Sequence, residues 1–192
     1  MRIALLSNPS SGRGRHAAAD DVARRILTGA GHEVLHVCGS SYEQARAAGR
    51  ALLGDGPHRK VEALVVVGGD GMVHLGVDIV ATTGVPLGIV ATGTGNDIAR
   101  HFGLPSRDAE ASARLINQAL SGKGAITAVD AIYASRPDGS LLAPQRRWSL
   151  AVVSAGVDAA VNARANTLAW PAHEGSDVRA HAAALAALAP YG

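Results

Sequence analysis

Cysteine is all but absent. Cys38 stands alone, which excludes a disulfide framework and a cysteine-based zinc site. A lone cysteine of this kind is expected to be a small buried apolar residue. Aromatic residues are scarce at 3%, so Val, Leu, Ile and Ala must fill the core. Lysine is nearly missing: Lys60 and Lys123 are the two, and the other basic residues are scattered arginines. Net charge is only +2 over 192 residues. A nucleic-acid groove needs a clustered basic stripe, and none is present, so no nucleic-acid partner is expected. No apolar run approaches the ~20 residues of a spanning helix. The run after Met1 is too short for a secretory signal, and a cytoplasmic protein is the expectation. Two familiar catalytic signatures are missing as well: His-Glu-x-x-His and the Gly-x-Ser-x-Gly elbow of serine hydrolases. Of eight histidines, only His32 and His36 share i,i+4 spacing, and they lie in a strand-like segment, so structural roles are expected.

What is there is a globular composition, 47% hydrophobic and 18% charged. Arg2 to Ser7 is a short apolar run and reads as a buried strand, with a turn cluster after it at Asn8-Pro9-Ser10-Ser11-Gly12. Helical spacing covers His16 to Ala30, a second strand His32 to Cys38, and a helix from a Ser41/Gln44 capping box to Leu53. Asp55-Gly56-Pro57 is loop. The continuous apolar run in Val61 to Val67 predicts a parallel strand covered on both faces. A helix follows from Met72 to about Ala81, then a strand from Pro86 to Val90 and a short helix. Ser106 is the expected cap of a last helix reaching Leu120. This alternation predicts a doubly wound, three-layer α/β domain over residues 1–127. From 128 to 192 the pattern changes to an incomplete, β-rich second domain. Strands are expected at Ile126 to Ala134 and Arg147 to Val153, around the turn Arg136-Pro137-Asp138-Gly139, and helices at Val157 to Leu168 and Val178 to Leu188. Asp130 and Asp158 are read either as polar anchors of that domain or as groups facing a cleft.

In an open α/β sheet, ligands bind at the carboxyl ends of the strands. Three loops fall there. The first, Asn8 to Arg15, is small-sided, with Arg13 and Arg15 able to add charge; it is either a phosphate-cradling loop or an ordinary strand–helix turn. Gly12, Gly14 and Ala17 also match the dinucleotide fingerprint Gly-x-Gly-x-x-Ala. That fingerprint wants an acid at the end of the second strand, which here ends Val37-Cys38-Gly39-Ser40. The second loop, Gly68-Gly69-Asp70-Gly71, sets one carboxylate among three glycines. Glycines permit close backbone approach, and a lone carboxylate there can hold Mg²⁺ against phosphate oxygens. The third, Thr92-Gly93-Thr94-Gly95-Asn96-Asp97 with Arg100 one turn on, offers hydroxyls and a carboxylate. Asp97 reads equally as a plain helix cap.

Together these loops resemble the diacylglycerol kinase catalytic domain family, which includes bacterial lipid kinases, sphingosine kinases and ceramide kinase. The matching motifs are Asn-Pro-x-Ser-Gly at 8–12, Gly-Gly-Asp-Gly at 68–71 and Gly-Thr-Gly-Asn-Asp-x-Ala-Arg at 93–100, in the family's order. Ser154 to Val161 also looks like the segment that opens the family's second domain. The resemblance implies an ATP- and Mg²⁺-dependent kinase acting on a lipid hydroxyl such as that of diacylglycerol. It implies catalytic carboxylates Asp70 and Asp97, with Asp70 on the metal. Nucleotide contacts would come from Asn8, Ser10, Ser11, Gly12, Gly68, Gly69, Gly71, Thr94, Gly95 and Asn96. The implied partner is a lipid substrate at a membrane surface, with the protein peripheral to it; separately, unpaired strands near residues 126–134 and 147–153 are expected to expose edges and favour a homodimer.

Three departures bear on that reading. Met72 stands where the family has Thr after Gly-Gly-Asp-Gly. His74-Leu75 replaces an Asn-Glu pair common in bacterial members, which also counts against the alternative of an NAD kinase relative. Family members run longer, and the acid proposed as their base lies in the part beyond Gly192. These 192 residues are therefore expected to bind ATP–Mg²⁺ and transfer phosphate poorly. A nucleotide-binding remnant without catalysis is the further alternative.

Overall fold

The computed structural model describes residues 1–7, 15–37, 39, 41–54, 60–135 and 148–150. Four strands, β1 (Arg2–Ser7), β2 (Glu33–Val37), β3 (Ala63–Gly68) and β4 (Leu87–Ala91), form one sheet in the order β2-β1-β3-β4. Every neighbouring pair is parallel. The strand order reverses between β1 and β3, and at such a switch point the sheet opens a crevice beyond its carboxyl ends.

The apolar runs of β1 and β3 are continuous because helices cover both faces. Side chains alternate across a strand, so Ile3 and Leu5 face one way and Ala4 and Leu6 the other. Ile3 and Leu5, with Ala63, Val65 and Val67, pack on Ala23 and Leu27 of α1 (Arg15–Gly29) and Ala113 and Ile116 of α5 (Ala109–Leu120). Ala4 and Leu6, with Leu64 and Val66, pack on Ala45 and Leu53 of α2 (Tyr42–Leu53) and Val73, Val77 and Ile79 of α3 (Asp70–Val80). The result is the expected three-layer, doubly wound domain, with side chains of modest size filling both cores. A short α4 (Asp97–His101) follows β4.

Ser41 caps α2 as its sequence suggests, its hydroxyl accepting from the Gln44 N–H at 3.2 Å. Two helix starts are shifted by two residues from expectation. The helix expected from Met72 starts at Asp70, with Gly69 as N-cap, because the Met72 and Val73 N–H groups bond back to the Gly69 carbonyl at 2.9 and 3.2 Å. Asp70 and Gly71 are thus the first turn of a helix rather than loop. The cap of α5 is Asp108, which accepts from the Ala111 N–H at 2.9 Å, and not Ser106. Ser106 is already committed elsewhere: it bridges Ala91 at the end of β4, and its hydroxyl accepts from the Asn96 amide at 2.9 Å.

A two-stranded antiparallel sheet joins β5 (Ile132–Tyr133) to β6 (Trp148–Ser149), with the Tyr133 and Trp148 rings 4.9 Å apart. Residues 126–131, expected as strand, form none, and among the described residues no segment pairs with them. Trp148 and Leu150 pack on the core beneath α3. All of these elements belong to the unit Met1–Ala151. The turn at 136–139, strand residues 151–153, the helices expected at 157–168 and 178–188, Asp158 and Cys38 lie outside the described residues. So do Asn8, Ser10, Ser11, Gly12, Arg13 and the loop at 55–57.

Candidate functional site at the ends of β3 and β4

β3 and β4 lie side by side with Gly68 opposite Ala91, so their two exit loops leave the sheet together. The Thr92 N–H donates to the Gly68 carbonyl at 2.9 Å and closes the pair. The loops then touch backbone to backbone. A Cβ on Gly93 would lie 2.5 Å from the Gly69 Cα, and one on Gly69 would lie 3.2 Å from the Gly93 Cα. Those two glycines are demanded by each other.

Asn96 locks the second loop from within. It sits in the left-handed region at φ 53, is 1% exposed, and donates through Nδ2 to the Gly93 carbonyl and the Ser106 hydroxyl, both at 2.9 Å. Asparagine tolerates that conformation better than most residues. Among the described residues its Oδ1 has no partner. Thr94 is exposed, and its carbonyl accepts from the Arg107 guanidinium at 2.8 Å.

Asp70 ties the two loops together. Its Oδ1 accepts from the Ile98 N–H of α4 at 3.1 Å, satisfying one of the donors that a helix start leaves open. Its Oδ2 stands 3.2 Å from where a Cβ on Gly95 would be, and the Asp97 Oδ2 stands 3.4 Å from the same point. Gly95 therefore separates two carboxylate oxygens, and any side chain there would press on both. Asp97 is exposed, with its Oδ1 paired to Arg100. At the start of α3, no described group accepts from the N–H groups of Asp70 and Gly71. Gly71 is exposed, and a Cβ on it would meet nothing within 4 Å. Gly68 is buried in the strand end, where a Cβ would strike the Met72 side chain at 2.4 Å.

Of the predicted residues, Gly68, Gly69, Asp70, Gly71, Thr94, Gly95, Asn96 and Asp97 thus converge on one edge of the sheet. Arg107 and His74 join them without having been singled out for the site. His74 Nδ1 lies 2.9 Å from the Asp70 carbonyl, and its Nε2 lies 3.3 Å from the Ser149 Oγ.

The arrangement suits a magnesium–polyphosphate group. Two carboxylate oxygens converge where a glycine leaves room, and Mg²⁺ takes one or two carboxylates plus phosphate oxygens. Next to them a helix N-terminus presents N–H groups that no described residue takes up, the backbone equipment for an anion. Among the described residues no three His, Cys, Asp or Glu converge as an all-protein metal cage. His32 bonds Asn117 at 3.0 Å, while His36 contacts Ser7 and Asp20, so the two histidines share no ligand position. Ser7, His36 and Asp20 are not a nucleophilic triad: the hydroxyl and the carboxylate both meet the same Nε2, at 3.0 and 3.2 Å. An open depression of about 530 Å³ lies along α1, and among the described residues only Asp21, Arg24, Arg25, Thr28 and Gly29 of that helix line it. No helix among the described residues is long and apolar enough to cross a membrane.

Comparison with known proteins gives a consistent picture. The family model described as diacylglycerol kinase catalytic domain matches residues 2–129. Diacylglycerol kinases of two Mycobacterium tuberculosis strains, CDC 1551 / Oshkosh and ATCC 25618 / H37Rv, are each 33% identical over 170 residues. Each match covers 88% of this chain and 50% of the relative, so the chain spans about half the length of these relatives. A solved structure described as a diacylglycerol kinase from Bacillus anthracis str. Sterne is similar at a TM-score of 0.50 and 26% identity. That match covers 61% of this chain and 39% of the other.

Proposed function

Because the chain belongs to the diacylglycerol kinase catalytic domain family, we propose that it binds ATP–Mg²⁺ where the β3 and β4 loops meet and serves transfer of the γ-phosphoryl group to a lipid hydroxyl, such as that of diacylglycerol. The observation that carries this reading is the Asp70 carboxylate. One oxygen is held by Ile98, while the other and the Asp97 Oδ2 both lie within 3.4 Å of where a Cβ on Gly95 would be.

Phosphoryl transfer asks a protein mainly for positioning and for neutralisation of charge. Asp70 and Asp97 would hold the metal, which when bound neutralises phosphate charge. The N–H groups of Asp70 and Gly71 would take phosphate oxygens at the positive end of α3. Gly71, having no side chain, lets those oxygens come close. Asn96 acts from inside, keeping the Gly93–Gly95 turn in one shape. Asn8, Ser10, Ser11 and Gly12, in the loop after β1, would complete the nucleotide pocket at the switch point of the sheet. The lipid would be met at a membrane surface, with the protein peripheral to it on the cytoplasmic side.

Asp70→Asn tests the reading cleanly, because an amide oxygen can still accept from the Ile98 N–H. Calorimetry should show ATP–Mg²⁺ affinity reduced at least about tenfold, worth about 1.4 kcal/mol, with an unchanged unfolding midpoint. Equal affinity in variant and parent would mean that no metal–phosphate unit sits there. Labelled-phosphate transfer to diacylglycerol in mixed micelles tests the substrate.

A further inference from the structure

His74 occupies a connecting position. It lies one turn into α3, partly buried, with each ring nitrogen facing a different element. On one side, Nδ1 is 2.9 Å from the carbonyl of Asp70, the residue whose carboxylate ties the two glycine loops. On the other, Nε2 is 3.3 Å from the hydroxyl of Ser149, itself 9% exposed in β6. The neighbours of Ser149 support the same junction, since Trp148 and Leu150 pack on the core to which α3 contributes.

The Asp70 carbonyl fixes the state of one ring nitrogen. A carbonyl oxygen only accepts, so Nδ1 must carry the hydrogen. In the neutral ring Nε2 is then bare and accepts from the Ser149 O–H. A side chain that donates to one partner and accepts from the other is what this position requires.

We propose that His74 is a positioning residue that ties the first turn of α3 to the β5–β6 sheet, so that the placement of Asp70 at the nucleotide site depends on strand β6. This rests on the ATP–Mg²⁺ reading of the site. The carbonyl and the carboxylate of Asp70 belong to one residue. A strap that restrains its backbone therefore restrains where its carboxylate lies beside Gly95. Through that strap, whatever moves the β5–β6 sheet is felt at the Asp70 carboxylate.

The test uses the full chain with ATP and Mg²⁺. His74→Phe keeps the ring and removes both nitrogens; His74→Gln keeps one donor and one acceptor; Ser149→Ala removes the distal partner. His74→Phe should weaken ATP–Mg²⁺ binding roughly five- to tenfold, Ser149→Ala a few-fold, and the double variant no more than His74→Phe alone, because one strap is lost once. His74→Gln should recover part of the affinity. Nitrogen-15 spectra of the parent should show His74 protonated at Nδ1 and bare at Nε2. A merely structural histidine would lower the unfolding midpoint and leave affinity in place. Parent-like affinity in His74→Phe, strictly additive losses with Ser149→Ala, or a ring without hydrogen at Nδ1 would each overturn the proposal. A parent that binds no ATP–Mg²⁺ would instead overturn the reading of the site, and this proposal with it.

Discussion

A methyl group added at Gly93 would lie 2.5 Å from the Gly69 Cα, while one added at Gly71 would meet nothing within 4 Å. The two glycines therefore answer to different demands. Gly93→Ala should destabilise the fold by about 1–3 kcal/mol, since backbone must move to admit the methyl. Gly71→Ala should stabilise it by roughly 0.5–1 kcal/mol, because the position is already helical and alanine loses less entropy on folding. If phosphate oxygens approach Gly71, the same substitution should also weaken ATP–Mg²⁺ binding. Urea unfolding and calorimetry on both variants separate stability from affinity. A Gly71→Ala protein that gained stability and bound as tightly as its parent would show that no phosphate comes near. The sequence marked Gly68 to Gly71 as one glycine loop around a carboxylate. It could not sort those glycines by role, because the sorting depends on Gly68 lying opposite Ala91 and on Gly93 meeting Gly69 across strands.

Elements were legible to the extent that their signals were local. The buried runs of β1, β3 and β4 and the Ser41 cap can be read within a few residues of chain, and they agree with the fold to within two residues at their ends. Ser106 misled because its hydroxyl answers Asn96, and Ile126 to Ala131 misled because strand-like composition needs a neighbour to pair with. His74 was invisible as a strap, since its distal partner is 75 residues away in sequence. The same non-locality governs the α2–α3 contact. Asp78 of α3 is 0% exposed and is paired with Arg46 of α2, while the Arg50 guanidinium donates to the Asp78 carbonyl at 2.6 Å. Arg46→Ala would leave a buried carboxylate unpaired and should cost about 3–5 kcal/mol in a denaturant titration. Replacing both partners, Arg46→Met with Asp78→Leu, should restore most of that, since no charge then remains inside. Equal losses in the single and double variants would mean that packing, not the unpaired charge, sets the cost.

For the molecule as a whole, the ranking of nucleotides follows from the site. β2 ends at Val37 without the acid that a dinucleotide site places on the ribose, while the β3–β4 edge offers a carboxylate pair and a helix start. ATP–Mg²⁺ at a hundred times its Kd should add about 2.7 kcal/mol and raise the midpoint by roughly 5–10 °C in a thermal-shift screen. NAD⁺ at equal concentration should raise it less; the reverse order would sink the ATP reading.

The order of the sheet also sets a timetable for synthesis. β1 lies between β2 and β3, yet it is made before either of them. At ~5–20 residues per second, roughly 3–11 s pass between the emergence of Ser7 and that of Ala63. Through that interval Ile3 to Leu6, all 0% exposed in the finished fold, have an open edge and no second partner. The strand at the heart of the sheet is therefore the segment of the nascent chain most in need of a chaperone, and slower or colder expression should favour soluble protein only if β1 is shielded while it waits.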